Sequence, residues 1–430
     1  MALNKPATRN PWAWVSTLYF AQGIPYVVVM TVSVIMYKRL GISNTDIALY
    51  TSWLYLPWVI KPLWSPFIEL FRTKRFWIVS LQLIIGASLA AVALTVPMPS
   101  FFQYTLAIFW LMAFSSATHD IAADGFYMLG LEQHQQAAFV GVRSTFYRIA
   151  MITGQGLLVV VAGTLETNLA GNIALAWSMT FGILAALFLI FFVYHRFILP
   201  YPVSDKTAER GGVESPLTAF LNIFVLFFKK KNIVATIAFL LLYRFAEAQL
   251  VKLVSPFLLD ARSAGGLGLS TSQVGIVYGT VGIIALTLGG LLGGYVVSRQ
   301  GLRFWLWFMV IIIHFPDLTF VYLSHVQPDN FYLISAAVAL EQFGYGFGFT
   351  AYMLYMILVS EGEHKTAHYA ICTGFMALGM MIPGMFSGAL QEWIGYKSFF
   401  IWVILSTIPG FLVAALVKIP PEFGKKQKSE

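Results

Sequence analysis

The chain has 430 residues, of which 58% are hydrophobic and 11% charged, with a mean hydropathy of +0.75, values that exclude an ordinary soluble domain. Its formal charge is +8, but the basic residues are scattered over separate short segments, which argues against nucleic acid as a partner. Cys372 is the only cysteine, so neither an intrachain disulfide nor a multi-cysteine metal site can form, and it reads as a small packing residue.

A polar lead with Lys5 and Arg9 runs into a full-length apolar segment without a convincing small-residue cleavage site, so this segment is expected to stay as a helix. Windows of about 20 apolar residues, enough to cross a hydrocarbon core of ~30 Å, then recur along nearly the whole chain. Six helices are predicted near Trp12 to Tyr37, Ile47 to Phe67, Phe76 to Val96, Phe101 to Leu129, Ala138 to Thr164 and Ile173 to Leu199. The longest polar stretch follows, Pro200 to Ser215, with Asp205, Lys206, Glu209, Arg210, Gly211, Gly212 and Glu214. After it, Pro216 to Lys231 places an apolar run before three lysines, too short to span and suited to lie along the inner interface. Six further helices are predicted near Ile233 to Leu258, Val274 to Val297, Phe304 to Leu323, Phe331 to Val359, Tyr369 to Leu390 and Phe399 to Lys418.

This gives an all-α membrane protein with a six-helix half over 1–199, a linker with an interfacial helix over 200–231, a second six-helix half over 232–418 and a tail over 419–430. Such a layout resembles the major facilitator fold. Gly294, Ser298, Arg299, Gly301 and Arg303 match its loop pattern G-x-x-x-D-R-x-G-x-R, with Ser298 in place of the acid. A worn copy between helices two and three, Ser65, Glu69, Arg72, Lys74 and Arg75, keeps the charges but not the glycines.

With the N-terminus inside, 19 of the 27 Lys and Arg residues fall on cytoplasmic ends and loops, Arg143 among them, and only Lys38, Arg39, Arg262 and Lys397 fall on the other side. The positive-inside rule therefore predicts both termini in the cytoplasm.

A charge at mid-membrane costs about 2.5–3.5 kcal/mol on insertion scales, so charges within spans are expected to face a cavity, to pair or to do work. Nine such residues stand out: Lys61, Asp120, Asp124, Arg148, Arg244, Glu247, Lys252, Asp317 and Glu341. Asp120 and Asp124 are four apart on one helix face; with Lys61 and Arg148 they are expected to form one electrostatic cluster. Arg244, Glu247 and Glu341 suggest a second. Asp317 follows Pro316 and reads as the cap of a local helix break. His119, His314, His364 and His368 have no convergent metal-ligand spacing, and no P-loop, nucleophile elbow or redox motif is present. No metal, cofactor, catalytic residue or ATP drive is expected, and the chain is not read as an enzyme.

Several motifs carry a more specific resemblance. Phe20-Ala21-Gln22-Gly23-Ile24-Pro25, Lys61-Pro62-Leu63-Trp64-Ser65-Pro66, His119-Asp120-Ile121-Ala122-Ala123-Asp124 and Tyr147-Arg148 resemble the AmpG muropeptide permease family. So do Tyr243-Arg244-Phe245-Ala246-Glu247 and Glu341-Gln342-Phe343-Gly344-Tyr345-Gly346 in the second half. The resemblance spans nearly the whole chain. It implies proton-driven import of cell-wall recycling products, GlcNAc linked to 1,6-anhydroMurNAc with or without a stem peptide, from periplasm to cytoplasm across a bacterial inner membrane.

Under it, Asp120, Asp124, Glu247 and Glu341 are the proton-coupling candidates, and Lys61, Arg148, Arg244, Gln22, Tyr147 and Lys252 the substrate-binding ones. The expected partners are this substrate, protons and membrane lipids, and the chain is expected to be a monomer. Two departures stand out: His119 replaces a polar amide, and the linker lacks the two extra spans of some relatives. The broader family includes acetyl-CoA transporters, so a facilitator for another bulky anion, such as a peptide, siderophore or acyl-CoA, is the competing reading, and a non-transporting membrane enzyme or sensor is the third.

Overall fold

The computed structural model describes residues 9–202, 205, 216–362 and 364–425. Lys5, Lys206, Glu209, Arg210, Gly211, Gly212, Glu214, Lys426 and Lys428 lie outside the described residues, and the Glu69 side chain is likewise not described.

Every regular element among the described residues is helical. Ten stretches are long and apolar enough to cross a membrane: Pro11–Arg39, Lys74–Thr95, Phe101–Gly130, His134–Asn168, Ile173–Ile198, Ile233–Leu259, Thr271–Gln300, Leu302–Val326, Phe331–Ser360 and Lys365–Leu416. The last is two passes, because Gly395 at φ 73° interrupts it in a left-handed conformation that side-chain-bearing residues rarely adopt. A further pass is assembled from Asn44–Trp53 and Leu56–Leu70. With these, the described residues make the twelve passes expected, and they are called helices one to twelve below.

Three passes are interrupted, two of them next to a proline. Pro57 has no N–H to offer the carbonyl of Trp53, and helix two is interrupted at Leu54 and Tyr55. Pro316 does the same in helix nine, where Phe315–Asp317 tightens into a 3₁₀ turn. Helix seven is interrupted at Tyr243 and Arg244, and its second part, Phe245–Leu259, begins with Arg244 at the N-cap.

The packing divides the chain into two compact units, one of residues 1–36 with 60–215 and one of 37–59 with 216–430. In the first, Trp14, Leu18, Tyr19, Ile78, Phe126 and Tyr127 share a buried cluster. In the second, Phe239, Tyr243, Met309, Tyr352 and Tyr355 do so, and Asn44–Trp53 packs on the helices of Lys365–Leu405 and Phe245–Leu259. The short helix Pro216–Phe228 follows the linker; it buries Phe227 while leaving Leu221, Val225 and Phe228 exposed.

Water does not cover the outside. In Ile173–Ile198 the most apolar window has a mean hydropathy of 2.3, yet only 33% of it is buried by protein. That much uncovered apolar surface requires hydrocarbon as its solvent.

Candidate functional site

In the first unit, helix four supplies two acids, and each finds a different base. Lys61 Nζ stands 3.5 Å from Asp120 Oδ2, whereas Arg143 Nη2 stands 3.1 Å from Asp124 Oδ1. The Tyr19 hydroxyl donates to the same Asp124 oxygen at 3.0 Å, and the Arg143 guanidinium lies over the rings of Tyr19 and Tyr127, at 4.6 and 5.0 Å. Tyr147 lies within electrostatic reach of Asp120, Asp124 and Arg148. Of the expected four-residue group, Lys61 meets Asp120, whereas Asp124 pairs with Arg143, a residue that the sequence assigns to the basic inner ends.

Beside these pairs, Tyr19, Gln22, Arg143, Ser144 and Tyr147 line a cavity of about 310 Å³. Gln22 is 7% exposed, and its side-chain oxygen has no hydrogen-bond donor. A buried acceptor left unmatched, next to a base and two phenols, is a set of groups that a polar ligand can complete.

His119 has another task. Its Nε2 lies 3.1 Å from Gln82 Nε2, Gln82 Oε1 is 2.9 Å from His195 Nδ1, and His195 Nε2 is 3.0 Å from Thr17 Oγ1. This closed polar chain ties helices one, three, four and six together inside the unit, where buried polar groups must be matched.

In the second unit, Arg244 is 6% exposed and lies in an aromatic cage. Its guanidinium carbon is 5.1, 4.7 and 5.9 Å from the ring centres of Tyr345, Phe349 and Tyr352. It donates to the Tyr345 hydroxyl, while its Nε has no acceptor. The cage is fixed from behind: the Tyr352 hydroxyl donates to the Leu240 carbonyl at 2.6 Å and that of Tyr243 to Gly348 at 3.0 Å. Lys252, 5% exposed, donates to Thr51 Oγ1 at 3.0 Å and stands 5.6 Å from the Tyr55 ring centre.

Glu247, Asp317 and Glu341 meet in this unit, each offering an oxygen within 4.8 Å of the others. Asp317 sits at the helix break as expected and occupies the N-cap position of Leu318–Val326, but its side chain caps nothing; neither of its oxygens has a donor. A break next to a proline, with His314 three residues earlier on the same face, was the sequence signal for this meeting point; which helix it faced was not in the spacing.

The Major Facilitator Superfamily matches residues 15–313 and, in a second alignment, 244–430. A Rickettsia conorii protein named AmpG 4 is 25% identical over 92% of this chain and 94% of its own length. The anhydromuropeptide permease of Escherichia coli (strain K12) is 24% identical over 94% of this chain and 79% of its own. Among solved structures, the nucleoside transporter NupG superposes with a TM-score of 0.67 at 16% identity, covering 94% of this chain and 98% of that one. A D-xylose-proton symporter superposes with a TM-score of 0.70 at 13% identity, covering 97% and 99%. These structural likenesses carry the fold; the family match carries the class, a multi-pass membrane transporter and not an enzyme.

Proposed function

We propose that this chain, which belongs to the Major Facilitator Superfamily, imports peptidoglycan recycling products by alternating access in symport with protons. The cargo is GlcNAc linked to 1,6-anhydroMurNAc, with or without stem peptide, moving from periplasm to cytoplasm across a bacterial inner membrane. Basic residues on the short loops orient both termini toward the cytoplasm.

The observation that carries this reading is Arg244. A guanidinium that is buried, walled by three rings and left with an unmatched N–H is costly unless an anion completes it. A lactyl or peptide carboxylate fits that need in bidentate fashion, and the neighbouring Tyr faces suit sugar rings. Lys252 adds a second buried basic group in the same unit. Gln22, Tyr147 and Arg148, joined by Arg143, form the polar counterpart in the first unit, with Lys61 beside Asp120. The names of the relatives point the same way.

Proton coupling falls to the carboxylates Asp120, Asp124, Glu247 and Glu341, with Asp120 beside Lys61 and Asp124 beside Arg143. The deciding experiment is uptake of labelled anhydro-disaccharide into proteoliposomes under an imposed pH gradient. Accumulation above the equilibrium level that collapses with a protonophore is the expected result. Accumulation of an unrelated carboxylate, such as an acyl-CoA, with no uptake of the sugar would transfer the Arg244 site to the competing anion reading.

A further inference from the structure

Helix seven carries two buried bases, Arg244 and Lys252, and among the described residues neither pairs with a carboxylate. Glu247 lies within electrostatic reach of Arg244, but neither of its oxygens accepts a hydrogen bond. Lys252 gives one N–H to Thr51 Oγ1. As an ammonium it has three, so the rest await an acceptor.

Helix two supplies the surroundings of Lys252. The Thr51 hydroxyl donates to the Ile47 carbonyl at 2.6 Å, so it serves the lysine only as an acceptor. Ser52 is fully buried, yet its hydroxyl has no partner. A Cβ on Gly384 of helix eleven would stand 2.9 Å from Ser52 Oγ and 3.6 Å from Lys252 Cε, so the unmatched hydroxyl and the lysine flank one point, closed by helix eleven. Tyr55, at the break in helix two, is close to both bases: its ring centre is 5.6 Å from Lys252 Nζ, and it lies within electrostatic reach of Arg244.

The spacing of the bases narrows the ligand. Along the helix their backbones are separated by about 12 Å, at a rise of ~1.5 Å per residue. A single carboxylate held by one base leaves the donors of the other unmatched in a dry interior, which is costly. A molecule with two acidic groups about 10 Å apart satisfies both, and in an extended peptide, at roughly 3.3–3.6 Å per residue, groups three residues apart have that spacing. A stem peptide carries several carboxylates on such a backbone, whereas the peptide-free sugar has only its lactyl carboxylate.

We infer that Lys252 and Ser52 form a second anion-binding point, through which the carrier selects dianionic, peptide-bearing cargo over the peptide-free sugar. Arg244 takes one carboxylate; Lys252 and the Ser52 hydroxyl take the other, with Tyr55 beside the stretch that joins them. This selectivity rests on the import reading above.

The test is calorimetric titration of the monodisperse full-length protein with three ligands: GlcNAc linked to 1,6-anhydroMurNAc, the same disaccharide bearing its stem peptide, and that conjugate with its carboxylates converted to amides. The wild type is expected to bind the peptide conjugate at least about tenfold more tightly than either of the others, as one charged hydrogen-bonded contact provides. In Lys252→Met that ratio should fall close to one, whereas Arg244→Ala should weaken both carboxylate-bearing ligands. Gly384→Ala crowds Ser52 and Lys252 without removing a donor and should also lower the ratio, and the amidated conjugate gives a readout that needs no variant. A wild type without preference for the peptide conjugate, or a Lys252→Met protein that keeps the wild-type ratio, overturns the selectivity and leaves the import reading standing. Binding of none of the three ligands removes the import reading, and the selectivity falls with it.

Discussion

The guanidinium carbon of Arg244 lies 4.7 Å from the centre of the Phe349 ring, so the deepest arginine of the second unit is held by the face of an aromatic ring and not by a carboxylate. Such a contact contributes about 0.5–2 kcal/mol and, unlike an ion pair, leaves the positive charge available to a second partner. Arg244→Ala is therefore expected to weaken cargo binding by at least about tenfold, since a charged hydrogen bond contributes ~1.5–3 kcal/mol. Arg244→Lys should recover only part of it, because an ammonium cannot offer a planar fork. Calorimetric titration of monodisperse protein with the anhydro-disaccharide checks both; near wild-type affinity in the Ala variant removes Arg244 from the site.

Arg143 makes a contrasting case. Its pair with Asp124 is partly open, with side chains 31% and 43% exposed, so solvent screening holds its contribution to stability to within about 1 kcal/mol. Yet Arg143 lines the cavity with Gln22 and Tyr147. Arg143→Ala should leave the thermal unfolding midpoint nearly unchanged and weaken binding markedly. A large loss of stability with unchanged affinity for the folded fraction would make Arg143 a strut.

These two arginines show what could be read from the chain. Hydropathy located the passes because burial in hydrocarbon imposes length and composition on each one separately. Arg244 was legible for the same reason, as a charge in mid-span. Arg143 was not, because it lies near a helix end, where a base is ordinary, and only the packing of helices four and five on helix one brings it to its acid. Asp317 was legible as a break after Pro316, but its convergence with Glu247 and Glu341 depends on three helices far apart in sequence. His119 stands out in the sequence only as a departure from the family pattern; its partners Gln82, His195 and Thr17 lie on three other helices and make it part of the scaffold.

Close backbone packing gives a stability prediction. A Cβ on Gly346 would collide with the carbonyl of Leu286 on helix eight, whereas one on Gly294 would meet nothing within 4 Å. Small residues at such crossings let membrane helices approach. Gly346→Ala should cost about 1–3 kcal/mol through overpacking and lower the unfolding midpoint visibly. Gly294→Ala should be neutral or slightly stabilising, by up to ~1 kcal/mol, because alanine favours the helix more than glycine does. Equal midpoints for the two variants in a fluorescence melt would refute this account of the crossing.

Asp120 is the acid expected to carry the transported proton. A membrane potential of 100 mV contributes about 2.3 kcal/mol for each proton moved inward, so uphill import requires an acid whose protonation changes during the cycle. Burial favours the neutral acid and a nearby ammonium the ionised one; a carboxylate whose base can withdraw therefore binds and releases a proton. The two acids of helix four differ in this respect. Asp124 is held by Arg143 and by the Tyr19 hydroxyl, while Asp120 faces Lys61 at 3.5 Å, a lysine whose side chain is 25% exposed. Asp120→Asn should therefore abolish accumulation against a gradient and preserve exchange of labelled for unlabelled cargo. Loss of a purely structural pair would damage both activities or the fold. Measuring pH-driven uptake and counterflow in the same proteoliposomes separates the cases: an Asn variant that still concentrates cargo at the wild-type gradient eliminates Asp120 and shifts the role to the carboxylates of the second unit.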